Sequence, residues 1–405
     1  MSPQPLAKDM LREQLLETPS TRCYSPLDIP ALRAVCVRSL ASLYREKEKL
    51  FSRRMILAEG GFHREGPSRQ HTIIALLGLQ HVAESGGTHP FDTAAIRDSV
   101  LENMHWVNSL GELGLLTWFV AECAPERLEK LFNEFDFENA LKIYADGRHA
   151  CTMGVAWFLS GIAHARLACP GTLPDLTDVV VDAYHLLEDN QSECGIFGHA
   201  GRRRLPGRAF YNRFGTFGDQ IHAIYALASL ARAFQIEEPL VSALACANSI
   251  CALQGELGQW WFLYDKLSAR VINRYPVLSL HQDGIAPLGL LALGETTGRT
   301  FHDAIGKGLL WIAGTNELGN DLRNLDEGVI WHSIAMTRRV TEYSQTAFSL
   351  LRISRTAQAK SLEIRYEARP DHFGWLLYTL GRFCAPNTVR VAHATAGDYS
   401  PGGPP

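Results

Sequence analysis

The stretch LQGELGQWWFLYD, residues 253–265, carries two tryptophans, a phenylalanine and a tyrosine directly behind a glycine turn. Within it, Gln254, Gly258 and Trp260 have the spacing QxxxGxW. A helical pattern with a charged face precedes the stretch, and a nearly apolar helical pattern follows it. A glutamine can cap a helix end, a glycine permits the turn, and an aromatic ring can pack over both. The stretch therefore predicts a turn that joins an outer helix to a buried one.

The same spacing occurs once more, in the segment QSECGIF. There Gln191, Gly195 and Phe197 stand in the three places, with phenylalanine instead of tryptophan. This copy also follows an amphipathic helical pattern and precedes an apolar one. Two copies at equivalent positions indicate a repeated structural unit.

Helical patterns of two kinds alternate along the chain. The amphipathic ones, which we assign to an outer layer, cover 95–107, 127–144, 174–188, 237–253 and 299–313. The nearly apolar ones, which should be buried, cover 69–80, 151–165, 217–234, 280–295 and 326–336, with a possible sixth at 372–383. A repeat of roughly 60–70 residues is typical of stacked helical hairpins.

This alternation predicts an all-α fold, an α/α toroid of five or six helical hairpins. An inner and an outer ring of helices would enclose a central cavity, and an open solenoid or an irregular bundle is the alternative. Strand patterns are nearly absent, the exceptions being 271–280 and 388–395. The toroid should cover 29–390, between an N-terminal extension at 1–28 and a disordered tail at 391–405.

Composition limits the classes of function. The 405 residues are 46% hydrophobic and 20% charged, and the net charge of -4 argues against a nucleic-acid or membrane-surface binder. Nine scattered cysteines suggest reduced thiols. We see no signal peptide and no apolar run near the ~20 residues of a membrane span, so we expect a cytoplasmic protein without a transmembrane segment.

The QxxxGxW spacing, at its place between outer and inner helices, resembles the QW repeat of squalene-hopene-type terpenoid cyclases. The chain thus resembles the toroids of terpenoid cyclases and protein prenyltransferases. This resemblance implies acid-initiated cyclisation of a prenyl chain, or of a prenyl diphosphate, in the central cavity. The family's DxDD acid motif is missing; the nearest string, EFDFE at 134–138, lies on a charged outer helix.

Short polar clusters open three of the apolar helices and should converge on one mouth of the cavity. Each cluster alone could be a helix cap or a satisfied buried group, and Asp219 in particular could be a cap. The clusters consist of Arg69 and His71; Asp219, Gln220 and His222; and His281, Gln282 and Asp283.

The third cluster provides the candidate acid. A carboxyl group held beside a histidine in an apolar cavity can act as a general acid, which suggests Asp283 with His281. Asp219 and Tyr275 complete the candidate catalytic set. We expect the other cluster residues to bind substrate, together with Tyr264, Trp261 and Trp331, whose rings could face a cation or a sugar.

A basic loop at 201–208 adds Arg202 and Arg204 as candidate ligands of an anion. A solvated surface loop is the equal alternative. No HExxH motif, Cys/His cluster or magnesium-binding aspartate motif occurs, so we predict neither metal nor cofactor.

Two other functions remain open from the sequence. A carbohydrate-active enzyme (glycosidase, lyase or epimerase) could use a six-hairpin toroid, with Asp219 and Asp283 as a carboxylate pair acting on an oligosaccharide. A non-catalytic helical scaffold is the other. In every case the partner should be a small molecule rather than nucleic acid, and a homodimer is possible.

Overall fold

Thirteen α-helices lie within the residues that the computed structural model describes, which are 28–146, 151–171, 174–199, 212–324, 327–337 and 362–383. They are α1 (Ile29–Leu43), α2 (Arg69–Glu84), α3 (Thr93–Leu101), α4 (Leu110–Cys123), α5 (Leu128–Glu134), α6 (Phe137–Asp146), α7 (Thr152–Ala168), α8 (Thr177–Glu188), α9 (Phe217–Phe234), α10 (Glu238–Ala252), α11 (Ala286–Thr297), α12 (His302–Ile312) and α13 (Pro370–Phe383). A π-helical turn, Leu280–Ile285, leads directly into α11.

Six of these helices form a closed inner ring. Helix α2 packs on α4, α4 on α7, α7 on α9, α9 on α11, and α13 packs both on the π-helical turn and on α2. Their middle residues are almost all buried, as expected of helices that are apolar all round. Helices α1, α3, α5 with α6, α8, α10 and α12 precede them one by one as the outer partners. The predicted α/α toroid is confirmed, with six hairpins.

The repeat assignment was right for most inner helices. The segments that begin near 69, 151, 217 and 280 are inner helices, and the possible sixth at 372–383 is one as well. Helix α4, with the sequence LGELGLLTWFVAEC, was missed although it is equally apolar. The predicted helix at 326–336 is wrong, because its described part forms two strands. A short apolar run does not distinguish strand from buried helix by periodicity.

Within the described residues, thirteen short strands form five small sheets, so strands are more frequent than the sequence predicts. They are β1 (Tyr44–Arg45), β2 (Leu50–Phe51), β3 (Met55–Ala58), β4 (Gly61–Arg64), β5 (Phe214–Thr216), β6 (Leu263–Asp265), β7 (Arg270–Asn273), β8 (Val277–Leu278), β9 (Arg323–Asn324), β10 (Val329–Ile330), β11 (Ser333–Met336), β12 (Leu362–Arg365) and β13 (Glu367–Ala368). All lie in connections from an outer to an inner helix. The sheets therefore gather at the N-terminal end of the inner ring, which we call the mouth.

The two QxxxGx-aromatic turns share one hydrogen-bonding pattern. The Gln254 side chain donates to the carbonyl of Gly258 at 3.0 Å and to that of Ala304 at 2.9 Å. In the other copy Gln191 donates to Gly195 and to Ser242 at 2.9 and 2.8 Å. Each glutamine thus ties its own turn to the following outer helix.

The conformation of both turns depends on glycine. Gly195 and Gly258 have φ of +82° and +99°, which an L side chain rarely adopts. The aromatic rings that follow, Phe197 and Trp260, are completely buried. The turns are therefore structural elements of the toroid.

The ring closes where α13 meets α2. A Cβ atom at Gly374 would lie 2.3 Å from the carbonyl oxygen of Ile74, so only glycine permits this approach. Near the same seam, Arg54 forms an ion pair at 3.1 Å with Glu367, which is 313 residues away in sequence.

A hydrogen-bonded network occupies the C-terminal end of the inner ring. The carboxylate of Glu122 accepts hydrogen bonds from Trp118 at 2.9 Å, from Tyr378 at 2.6 Å and from Nδ1 of His164 at 2.8 Å. Nε2 of His164 lies 2.8 Å from the hydroxyl of Tyr225. These residues come from α4, α7, α9 and α13, so the network connects four of the inner helices.

Among the described helices, none is both long enough and apolar enough to span a bilayer.

Candidate active site

A carboxylate–histidine pair lies at the mouth, between the π-helical turn and the first turn of α13. Nε2 of His372 is 2.7 Å from Oδ1 of Asp283, and both side chains are at least 96% buried. Since a carboxylate only accepts, His372 donates its Nε2 proton, and Nδ1 is left as the acceptor nitrogen. Such a pair fixes both the tautomer and the orientation of the imidazole.

Three more buried histidines surround this pair. His281 precedes Asp283 on the π-helical turn and packs on Phe217 at 4.9 Å between ring centroids. His222 lies on α9, and its Nδ1 accepts a hydrogen bond from the indole of Trp157 at 3.1 Å. His332 lies between β10 and β11. We call His222, His281, His332, His372 and Asp283 together the histidine cluster.

Three of these histidines are neutral at ordinary pH. Burial, together with the proximity of His222 and His372, lowers the pKa of His281 to about 3. Burial likewise lowers the pKa of His222 to about 4, against the opposing effect of Asp219. The pKa of His332 lies well below its usual range, first because of burial and then because of the nearby Arg369. Neutral imidazoles can each donate and accept a hydrogen bond, so the cluster is suited to handle protons without carrying excess charge.

Buried polar atoms without a hydrogen-bond partner concentrate at this place. Buried polar groups are normally hydrogen-bonded, and each exception asks for an explanation. In the described part of the chain thirteen such side-chain atoms occur, and four belong to the histidine cluster: Asp283 Oδ2 and Nδ1 of His281, His332 and His372. Two more, Arg69 Nε and Asp371 Oδ1, belong to the first turns of the neighbouring helices α2 and α13. The mouth therefore presents donors and acceptors that suit a polar ligand.

Asp219 has a different environment. It closes a capping box with Thr216 at the start of α9, and its Oδ2 accepts hydrogen bonds from both the backbone and the hydroxyl of Thr216. Its carboxylate also lies 2.9 Å from Nδ1 of the half-exposed His199 and 3.3 Å from the amide of Met153. Among the described residues, the hydrogen bonds of this carboxylate fix helix starts and orient His199.

The two glutamines of the predicted site are bound to the backbone. Oε1 of Gln220 accepts from the amide of Phe197 at 2.7 Å, and Oε1 of Gln282 accepts from the amide of Trp260 at 3.2 Å. Both side chains are fully buried. We therefore assign them to the aromatic turns. Their equivalence also shows that Asp219 and His281, one residue before each, occupy matching positions.

The remaining predicted residues lie around the mouth in different settings. Arg69 is half-buried, and the ring of His71 contacts the carbonyl of Arg53 at 2.9 Å. The hydroxyl of Tyr275 donates to Glu317 at 2.9 Å. Tyr264 is completely buried.

Among the predicted aromatic and basic ligands, the structure describes the two tryptophans but not the two arginines. Trp261 packs beneath Arg274 at 5.2 Å, and Trp331 directly precedes His332. Arg202 and Arg204 lie outside the described residues.

His372 and His332 were not found from the sequence, although both belong to the cluster. His372 stands 89 residues from its partner Asp283, so no local spacing connects them. One signal existed: a histidine heads the apolar segment at 372–383, as His281 heads 280–295. Within the described residues, no three His, Cys, Asp or Glu side chains are placed to hold a metal ion.

No protein-family model matches the sequence, and no curated protein matches it. Solved structures match its fold along most of its length. A sugar epimerase from a ruminal bacterium is 11% identical and covers 89% of this chain and 100% of its own, with a TM-score of 0.58. An unsaturated glucuronyl hydrolase specific for heparin is 12% identical, with 88% and 96% covered and a TM-score of 0.55. A family 88 glycosyl hydrolase from Bacteroides vulgatus is 10% identical, with 87% and 98% covered and a TM-score of 0.54.

These matches correct the resemblance to terpenoid cyclases and protein prenyltransferases, which is wrong. The toroids that the chain matches are those of sugar-processing proteins, and cyclisation of a prenyl chain or prenyl diphosphate is overturned with the resemblance. The physical reason lies in the turns. The QxxxGxW spacing solves the connection from an outer to an inner helix in an α/α toroid, so it reports turn geometry and not chemistry.

Proposed function

We propose that this protein is a carbohydrate-active enzyme of the epimerase class, which moves a proton at a carbon atom next to the carbonyl group of a sugar. The observation that carries the proposal is the buried Asp283–His372 pair, in which Nδ1 of His372 is buried without a hydrogen-bond partner among three other buried histidines. An imidazole oriented by a carboxylate is a general base. The matched toroids include a sugar epimerase, but fold alone does not identify a reaction.

The proposed step begins with an open-chain sugar in the mouth. Nδ1 of His372 takes the proton from the carbon beside the carbonyl; the C–H bond breaks, an N–H bond forms, and the electron pair moves onto the carbonyl oxygen. Asp283 stabilises the imidazolium that results. A neutral imidazole such as His281 can donate a hydrogen bond to the developing oxyanion. A second proton, donated to the opposite face of the carbon by water or by another imidazole of the cluster as the carbonyl re-forms, gives the epimer, and His372 then releases its proton to solvent.

A hydrolase with two carboxylates has less support. Such an enzyme needs one carboxyl group to protonate the leaving oxygen and a second to act as base or nucleophile. The contacts of Asp219 are those of a capping box and of a partner to His199. Of the two predicted carboxylates, Asp283 alone then belongs to the histidine cluster.

A polysaccharide lyase is the second candidate, because the same base could remove the proton beside a uronate carboxylate and start an elimination. The observation in its favour is that Arg369, which pairs with Glu367, lies near His332 and could also attract a carboxylate.

The test uses solvent deuterium. Purified protein is incubated in D2O with reducing mono- and disaccharides and with uronate oligosaccharides, and the products are followed by proton NMR. We expect deuterium at the carbon beside the carbonyl, together with the epimer. Release of reducing ends without exchange at carbon would refute the epimerase and support a hydrolase, and an unsaturated uronate product would support the lyase.

Two broader expectations stay predictions within this proposal. Seven cysteines in the described residues are free thiols, which suits a reducing, cytoplasmic compartment. The second expectation is that the protein forms a homodimer.

A further inference from the structure

One small sheet at the mouth carries an exposed apolar row. Strands β4, β3 and β13 form it in that order. Leu57 pairs with Phe62, and the amide of Leu57 donates to the carbonyl of Tyr366 at 2.9 Å. Directly opposed residues on adjacent strands point to the same face. Phe62, Leu57 and Tyr366 are therefore neighbours on one face, with 40%, 37% and 47% of their surfaces exposed.

The same face is buried one step along the strands. Met55 and Ala368 lie two residues from Leu57 and Tyr366 and so share their face, yet they are only 3% and 1% exposed. This face thus packs on the body of the protein at one end and continues beyond it at the other. The exposed end of this face therefore forms a short apolar wall beside the body of the protein.

Trp331 joins this wall to the histidine cluster. Its ring stacks on Phe62 at 6.2 Å and meets Tyr366 edge-on at 5.0 Å. His332 is the next residue, and β13 leads through Pro370 into the turn that carries His372. We name Leu57, Phe62, Tyr366 and Trp331 the aromatic wall.

We propose that the aromatic wall binds a second sugar ring of an oligosaccharide whose reducing unit lies at the histidine cluster. This inference rests on the proposed function and adds the substrate class to it. Aromatic rings offer flat apolar faces of the size of a sugar ring, whose C–H groups pack on them. Exposed apolar patches continuous with a polar site mark ligand-binding grooves. A monosaccharide would occupy only the histidine cluster.

The experiment compares substrates of different length on a double variant. Phe62→Ala with Tyr366→Ala removes the two exposed rings and leaves the histidine cluster intact. We expect the KM for a tetrasaccharide to rise about tenfold or more, with kcat and all monosaccharide kinetics unchanged. Ile143→Ala, which truncates a side chain 64% exposed on the outer helix α6, is the matched control.

A binding measurement separates this inference from the proposed reaction. Saturation-transfer NMR with cellotetraose and tetragalacturonate, on protein that carries His372→Gln, detects contact without turnover. Contact that disappears in the Phe62/Tyr366 variant supports the wall even if the reaction proves different. Unchanged contact, or an equal loss for mono- and tetrasaccharides, overturns it. Loss of self-association in sedimentation with unchanged sugar kinetics would also overturn it, because the wall would then be a protein contact.

Discussion

The two ends of the inner ring use similar side chains in opposite ways. At the C-terminal end, Glu122, His164, Tyr225 and Tyr378 satisfy one another within a closed network. At the mouth, Asp283 and His372 form one hydrogen bond and each keeps a buried polar atom without a protein partner. A satisfied network rigidifies a core, whereas unsatisfied buried groups cost stability and persist where function requires them. The difference fits a structural role for the C-terminal end and the proposed ligand-binding role for the mouth.

The largest expected effect tests the mouth. His372→Gln and Asp283→Asn should each lower turnover about 10²–10⁴-fold, because the oriented base is lost, and melting temperature should hardly change. Steady-state kinetics and thermal melts check this. Asp219→Asn is the control, since it should weaken the capping box by about 1 kcal/mol and reduce turnover far less. Equal turnover losses for Asp219→Asn and Asp283→Asn would restore the two-carboxylate hydrolase.

The next prediction tests whether Trp260, a buried side chain at the mouth, stabilises the fold. Trp260 is completely buried and stacks on Phe217 at 5.2 Å. Trp260→Ala should lower the free energy of unfolding by about 3–5 kcal/mol, as measured by denaturant titration. Lost activity with an unchanged unfolding curve would instead assign this ring to the site.

A substitution at the C-terminal end of the inner ring should change stability but not turnover. Burial opposes ionisation of Glu122, but the charge of His164 and the hydrogen bonds outweigh it and hold the pKa of Glu122 well below its ordinary 4.5. Glu122→Gln should cost about 2 kcal/mol at neutral pH, because it leaves His164 without its anion. A carboxyl group whose pKa is lowered by folding stabilises the folded state at pH values above the pKa of the unfolded chain. The difference in stability between Glu122→Gln and the wild type should therefore shrink as pH falls below about 4.5. A difference independent of pH would contradict the ionic role.

The last effect appears only on acidification. The pKa of His281 is about 3 in the folded protein against an ordinary 6.5, so the unfolded chain binds a proton first on acidification. Its contribution to stability is present above about 6.5 and is lost as pH falls toward 3. His281→Asn should therefore make the melting temperature depend less on pH in that interval. If the wild-type curve is already flat between 6.5 and 4.5, the histidine is not buried as a neutral group.

The toroid could be predicted from the sequence because the inner helices are nearly apolar, whereas the outer helices carry a charged face. A helix without a polar face, such as 217–234, has no stable place except the inner ring. The apolar run at 326–336 misled, since its length and β-branched residues fit a strand as well. For the site, the sequence identifies polar residues at the starts of the inner helices, but it does not identify their hydrogen-bond partners. Asp219 and Asp283 each stand beside a buried glutamine at the start of an inner helix; only residues distant in sequence, such as His372, place Asp283 in the buried histidine cluster.

The seam between α2 and α13 has a consequence for biosynthesis. Glycine packing at Gly374 and the Arg54–Glu367 ion pair join the first and the last hairpin, which the ribosome produces at opposite ends of the chain. Contacts of such separation form late in folding. Because His372 arrives with the last hairpin, a nascent chain already long enough to hold five hairpins still has no Asp283–His372 pair. The proposed catalytic centre would be assembled in the same event that closes the ring.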